Sequence, residues 1–413
     1  EMVIGNPPYI NIENLDDGIK EALFREFDTC RGRTDIYIGF IEITTKLLLQ
    51  NGVATFIIPY SYTNQNYAEL SRLMLVNKYS VDELLDTSNY MVFENANVKN
   101  ITIRFTNREP SYTKIRIVNS DIDFKQSKFE ESVIETNKFG LLKGCRLETK
   151  GAIKLLGIKD KVDNVSFKLS TIFSVAYGVR VNNKTDRNKP KSYYIHDEYK
   201  DGYKAFVEGR YIHRYNHTQC GWLDYKPTEH YNSMFTELFE NEKLISINVV
   251  SDRLRFSYDN CHLYDSHTVL NCVNIKYLRN ASHISARKAV ENGNMNLAFK
   301  YSTKLVLGIL NSKFINWYFF SFMSEGLHFY PDDAKNLPIP TNVNDEESCQ
   351  IETLVNEILE KKSIENDSVI SSLENQIDFL VYHLYNLTYD EVLIVDPNPP
   401  FTREQYESDD YNE

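Results

Sequence analysis

Met2-Val3-Ile4-Gly5-Asn6-Pro7-Pro8-Tyr9 is the stretch on which the reading of this chain turns. Met2 to Gly5 is an apolar run that reads as the end of a buried strand, and Asn6 to Tyr9 is the turn that leaves it. The Asn6 amide oxygen can accept a hydrogen bond from an exocyclic amine. Two consecutive prolines fix φ and stiffen the turn, and the Pro7 carbonyl has no helix or ladder to satisfy it. Tyr9 offers a ring face on which a flat heterocycle can stack. Together these groups suit a protein that grips an amino-bearing ring taken out of its stack, such as a flipped-out adenine. A second copy, Asn398-Pro399-Pro400-Phe401, follows Asp396-Pro397 in an acidic tail with no helix pattern behind it. It reads as a plain turn.

Further motifs lie downstream of the first copy. Thr34-Asp35-Ile36-Tyr37-Ile38-Gly39-Phe40-Ile41-Glu42 opens a helical pattern through Leu49. Asn51-Gly52-Val53-Ala54-Thr55-Phe56-Ile57-Ile58-Pro59 reads as turn, strand and proline stop. Val92-Phe93-Glu94 precedes a strand pattern from Val98 to Phe105. In this order the motifs resemble the catalytic region of gamma-class, TaqI-like adenine-N6 DNA methyltransferases, a group that includes fused restriction-modification enzymes. The resemblance implies that Asn6 and the Pro7 carbonyl hold the adenine amine and that Tyr9 stacks on the base. It further implies that Phe93 closes the base pocket and that Phe40 touches the adenine of the cofactor, S-adenosylmethionine. Packing offers another reading of Phe40, which shares a helical stripe with Tyr37, Ile41, Thr44 and Leu48.

In that family the cofactor-binding strands and their glycine-rich loop come before the Asn-Pro-Pro-Tyr turn. No Gly-x-Gly occurs anywhere in this chain, Gly140 and Gly144 being the nearest pair. The tight turn that brings backbone against a nucleotide is therefore absent. The expectation is a chain resembling the downstream part of a longer enzyme, with little affinity of its own for S-adenosylmethionine. An upstream segment or a separate chain would supply that half and cover the Met2–Gly5 edge.

At 413 residues, with 28 Tyr and 23 Phe, the chain has the composition of a folded protein of two or three domains. No apolar run approaches the ~20 residues that span a bilayer. Six cysteines are scattered without a Cys-x-x-Cys, which suggests neither a zinc site nor a disulfide framework and fits a reducing cytoplasm. His213 and His217 stand four apart, but the segment is strand-like and no Glu lies between them, so no metal is expected there. His262 and His267 carry no stronger signal. The net charge of −12 looks wrong for a nucleic-acid binder, yet residues 341–413 hold 18 acids against three bases, which leaves residues 1–340 at +3. Within them Arg180, Lys184, Arg187, Lys189 and Lys191 oppose only Asp186, a cluster suited to phosphate contacts.

The expected fold is α/β. Residues 1–118 form a partial catalytic domain, the C-terminal half of a doubly wound methyltransferase sheet. Its elements are a strand to Gly5, a helix over 34–49, a strand over 53–58, a helix over 67–76, and strands near 81–85, 98–106 and 112–118. By resemblance its last strands run antiparallel. A polar linker, 119–165, follows. Residues 166–340 are similar to a TaqI-like target-recognition domain, through Ala176-Tyr177-Gly178-Val179-Arg180, the stretch from Phe206 to Tyr215, Asp252-Arg253-Leu254-Arg255-Phe256, and Leu310 to Pro340. Short strands with interleaved Arg and Tyr can pair phosphates and present guanidinium to base edges. Arg180, Lys184, Arg187, Arg210, Arg214 and Arg253 are the candidate contacts to double-stranded DNA. Residues 341–395 read as a helical hairpin with its turn at Lys361–Asp367, and 396–413 as an acidic tail, disordered from Glu404. The alternative function is a non-catalytic DNA-binding specificity module that relies on a partner chain.

Overall fold

The computed structural model describes residues 1–93, 98–250, 252–323, 328–362 and 367–408. Two compact units divide the chain, Glu1–Gly157 and Ile158–Glu413. Among the described residues no helix is long and apolar enough to cross a membrane.

The first unit is built on a six-stranded sheet. Its strands are β1 (Met2–Gly5), β2 (Val53–Pro59), β3 (Ser80–Asp86), β4 (Asn100–Thr106), β5 (Tyr112–Ile117) and β6 (Glu130–Glu135), in the order β1-β2-β4-β3-β5-β6. β1 runs parallel to β2 and β3 parallel to β5, while β4 and β6 are antiparallel to their neighbours. Alternation decides the centre: Ala54, Phe56 and Ile58 of β2 are buried and stand opposite Phe105, Ile103 and Ile101 of β4. Helices α1 (Asp17–Glu26), α2 (Ile36–Leu47) and α3 (Glu69–Lys78) connect the strands. The expected strands and helices of residues 1–118 occur at these positions. The expected linker does not: it supplies β6, which pairs along β5 from Tyr112↔Glu135 to Ile117↔Glu130, so the sheet extends beyond residue 118.

The two edges of the sheet differ in chemistry. β6 carries Glu130, Glu131 and Glu135, charges that discourage further pairing. β1 carries Met2 and Ile4, 67% and 76% exposed, and no charge.

The second unit has a four-stranded antiparallel sheet in the order Phe256–Asp259, Lys243–Ile247, Val269–Asn274, Phe173–Tyr177. One apolar core joins it to helices Thr303–Asn311, Lys313–Tyr318, Asp345–Lys361 and Asp367–Leu384. Gly308 permits the close approach, since a Cβ there would stand 2.7 Å from Ile351 Cγ2. A second, mixed sheet contains Ile195–His196, Gly221–Leu223, Lys204–Val207 and Tyr264–Asp265 over its own core. Most of the expected hairpin turn lies outside the described residues, as do 409–413. The tail differs from expectation where it is described. Phe401 and Tyr406 are buried in the core, Arg403–Glu407 is helical, and Phe401 lies edge-on to Phe379 at 5.1 Å. Two aromatics outweigh the acidic composition around them.

Candidate functional site

Because β1, β2 and β3 all run the same way, their C-terminal ends share one end of the sheet, where ligands collect in open α/β folds. The Asn6–Tyr9 turn leaves β1 there. Pro7 is buried, Asn6 and Pro8 are exposed, and Tyr9 is half-buried. No hydrogen bond engages the Asn6 side chain among the described residues.

Three ties hold the turn. The Tyr9 hydroxyl donates to the Ile57 carbonyl of β2 at 3.0 Å. The Asn100 amide, at the start of β4, donates to the Tyr9 oxygen at 3.3 Å. Burial pushes the Tyr9 phenol up to about 12, against the Asn100 bond, so it remains a donor at neutral pH. Asp35 supplies the third tie. It caps α2 through the Tyr37 amide and also accepts from the Ile10 amide at 3.0 Å. The Ile36 amide returns a bond to the Ile10 carbonyl at 3.0 Å. The second motif thus braces the first. An Asp before an apolar helical pattern is legible as a cap; that it also grips Ile10 is not. Burial raises the Asp35 carboxyl, opposed by these backbone bonds. Tyr37, fully buried, stands edge-on to Tyr9 at 6.1 Å.

Phe93 lies half-buried on the segment that follows β3; its motif neighbour Glu94 lies outside the described residues. That segment is pinned at its root, because Thr87 Oγ1 donates to the Asn100 carbonyl at 2.9 Å. Asn100 therefore links the Tyr9 turn to the segment carrying Phe93, a role the sequence did not disclose. Beside it, buried Asp86 accepts from Thr149 Oγ1 at 2.6 Å and from the Ser88 amide at 2.8 Å. Thr149 in turn meets the Tyr60 hydroxyl at 3.1 Å.

Phe40 is not in the core. Tyr37, Ile41, Thr44 and Leu48 are buried, whereas Phe40, Ile43 and Leu47 form an exposed stripe, Phe40 being 42% exposed. Phe40 is one apolar contact that a cofactor could use.

In the second unit the expected cations separate into two groups. Arg180, Lys184 and Arg187 are exposed, and Arg180 stacks on Tyr231 at 4.5 Å. Arg210, 72% exposed, lies 3.5 Å from Glu208 and over the Tyr211 ring. Lys189 and Lys191 are paired to Glu229 and Glu208. Arg214 and Arg253 depart from the expectation of surface contacts. Arg214 pairs with Glu374 at 2.9 Å with both side chains 16% exposed, and both arginines donate to the Asn311 carbonyl. Burial, then the Arg214 charge, lowers the Arg253 guanidinium. From the loops that carry them, both arginines tie to the end of helix Thr303–Asn311, and Arg214 also ties to helix Asp367–Leu384. His213 and His217 lie on the two arms of a tight hairpin, and His217 Nδ1 is 2.9 Å from Ser257 Oγ.

Comparison with known proteins agrees with the first unit. Residues 1–93 match the family profile described as Eco57I restriction-modification methylase. The type II methyltransferase M.BstVI of Geobacillus stearothermophilus is 28% identical over 95 residues, 23% of this chain and 17% of that protein. RM.MjaORFECS2P of Methanocaldococcus jannaschii, assigned as a type II restriction enzyme and methyltransferase, is 26% identical over 407 residues, 93% of this chain and 31% of that protein. The chain thus spans less than a third of the length of these relatives. Among solved structures, the type IIL restriction-modification enzyme MmeI in complex with DNA is 14% identical with a TM-score of 0.42, over 98% of this chain and 57% of that one.

Proposed function

We propose that this chain is the base-holding and DNA-reading portion of a site-specific adenine-N6 DNA methyltransferase of a restriction-modification system, working in the cytoplasm. The observation that carries the reading is the Asn6–Tyr9 turn at the C-terminal end of β1, braced by Asp35, Ile57 and Asn100, inside the region that matches the methylase profile. Asn6 and the Pro7 carbonyl accept the amine hydrogens of an extruded adenine, and Tyr9 and Phe93 flank the ring. Accepting those hydrogens increases lone-pair character on the nitrogen that attacks. Arg180, Lys184, Arg187 and Arg210 contact the duplex, chiefly at phosphates.

S-adenosylmethionine is the methyl donor such a reaction uses. The exposed apolar surfaces of β1 and of α2 at Phe40, Ile43 and Leu47 favour a further segment, or a partner chain, that brings the donor half. If a partner does all the chemistry, the chain is a specificity module, and substitution of Asn6 separates the two readings.

With the donor half restored, Asn6→Ala is expected to abolish methylation while leaving duplex affinity nearly unchanged. A lost neutral hydrogen bond costs about 1 kcal/mol in a ground state, whereas a preorganised acceptor at a centre of developing charge contributes roughly 2.7–4 kcal/mol, two to three orders of magnitude in rate. Asn398→Ala, at the look-alike turn, is the control and should methylate normally. Full methyl-transfer activity in Asn6→Ala would remove the catalytic reading and leave the specificity module.

A further inference from the structure

An open cleft of about 630 Å³ in the first unit is not used by the site described above. It is lined by Arg31 and Arg33 from the loop before α2, by Asn64, Asn66 and Tyr67 from the segment before α3, and by Arg146. Three guanidiniums and three side-chain amides, those of Asn64, Gln65 and Asn66, line it, and no carboxylate does.

The cleft is held in shape from behind. Arg72 of α3 is fully buried, and its guanidinium spends its donors on four backbone carbonyls: Tyr62, Gln65, Gly144 and Cys145. Those carbonyls belong to the two segments that present the amides and Arg146, so one side chain ties both walls together. The Leu147 amide adds a bond to the Thr63 carbonyl at 2.9 Å. On the third wall, Arg31 Nη1 is anchored by the carbonyls of Phe24, Phe27 and Cys30 at 3.1, 2.6 and 2.7 Å. Nearby acids only partly offset the charge. Asp28 is 3.8 Å from Arg31, Glu13 is 3.3 Å from Arg33 with both side chains well exposed, and Arg146 forms no ion pair among the described residues, its charge opposing the burial that raises the Glu148 carboxyl.

The cleft also communicates with the base-holding turn. Tyr67 shares a 2.8 Å hydrogen bond with Tyr37, and the Tyr37 ring abuts Tyr9.

We propose that this cleft binds the phosphodiester backbone of DNA, so that the first unit grips a strand through Arg31, Arg33 and Arg146 independently of the second unit's basic loop. This rests on the reading that the chain acts on DNA. Fork-shaped guanidiniums and side-chain amides are donors that match phosphate oxygens, and the exposed acids beside Arg31 and Arg33 lie outside the lining, where a phosphate can displace them. A clamp here would hold the backbone while the base is out of the stack.

The test is the double variant Arg33→Gln/Arg146→Gln in the full chain. Binding to a fluorescent duplex of arbitrary sequence is followed across roughly 50–200 mM salt. Each phosphate contact contributes about 0.9 to the slope of log K against log salt. The variant should therefore show a slope shallower by about two, with a parallel decrement when Lys184→Gln/Arg187→Gln is added. Because Arg33 is 88% exposed, the single variant Arg33→Gln keeps the fold and should lose about one unit of slope. An unchanged slope in both variants would overturn the cleft while leaving the DNA reading intact. Failure of the parent chain to bind duplex at all would overturn both. If polyglutamate lost affinity for the variants and DNA did not, the cleft would belong to an acidic protein partner and the proposal would fall.

Discussion

Asn6 and Asn398 sit in the same tetrapeptide pattern, yet their surroundings make them different residues. Asn6 projects from a strand end beside a ring held by three elements. Asn398 leads into Phe401, which is spent on packing. Asp265 shows the same dependence on surroundings for a charge. Its carboxyl is fully buried, with one oxygen accepting from Asn271 at 2.8 Å and the other without a partner. The Lys243 ammonium is already bound to Asp259 and two carbonyls. Burial, only partly opposed by Lys243, pushes Asp265 up to about 8. The folded chain therefore keeps a proton that the unfolded chain releases near its ordinary value of 3.8. This contribution to stability is complete below that value and is lost as pH rises through about 8. Asp265→Asn, which has no proton to lose, should gain on the parent by up to about 1.4 kcal/mol per pH unit across that window. Urea unfolding of both proteins at several pH values measures it, and parallel stability–pH curves would sink the idea. What was legible at this scale was whatever is local in sequence. The Asn6 turn and the helix opening after Thr34 could be read from neighbours, whereas the interior fate of Arg214 and Arg253 could not. Their partners Glu374 and Asn311 are 160 and 58 residues away.

At the level of elements, strand alternation in β2 and β4 and the stop at Pro59 made the sheet readable, because burial on one face imposes period two. Helical period alone could not say which stripe of α2 is covered. The packed one runs through Tyr37, Ile41, Thr44 and Leu48, and Phe40 is left on the open one. β6 was missed because its Glu-rich pattern is that of a charged edge strand, which looks like a polar connection until its partner is known. The tail was missed because composition averages over a few anchors. Phe401 and Tyr406 stack at 5.6 Å against Phe379, and the Tyr406 hydroxyl donates to the Leu387 carbonyl at 2.8 Å. Phe401→Ala should destabilise the second unit by about 3–5 kcal/mol, the usual cost of emptying a buried phenylalanine site. Asn398→Ala, two prolines upstream, should leave it unaltered. A shared urea midpoint for Phe401→Ala and the parent would return the segment to the status of a loose tail.

For the molecule as a whole, negative charge is concentrated in one stretch of sequence: residues 341–413 carry −15. Uniform net charge would have argued against a nucleic-acid partner; its segregation removes that objection. The same charge governs a different behaviour. Taken by itself, without the donor half proposed to cover it, this 413-residue chain leaves one side of the β1 backbone and the side chains of Met2 and Ile4 open to solvent, an edge onto which another copy can add a strand. At low ionic strength the mutual repulsion of chains carrying −12 holds such edges apart. Added salt shortens the Debye length to about 8 Å near 0.15 M and about 3 Å at 1 M, so self-association should rise with salt while duplex affinity falls. Sedimentation velocity should show larger species at high salt and high concentration, suppressed by Ile4→Lys. For the isolated chain, the salt that would weaken the proposed phosphate contacts is therefore also the condition that invites its copies to aggregate.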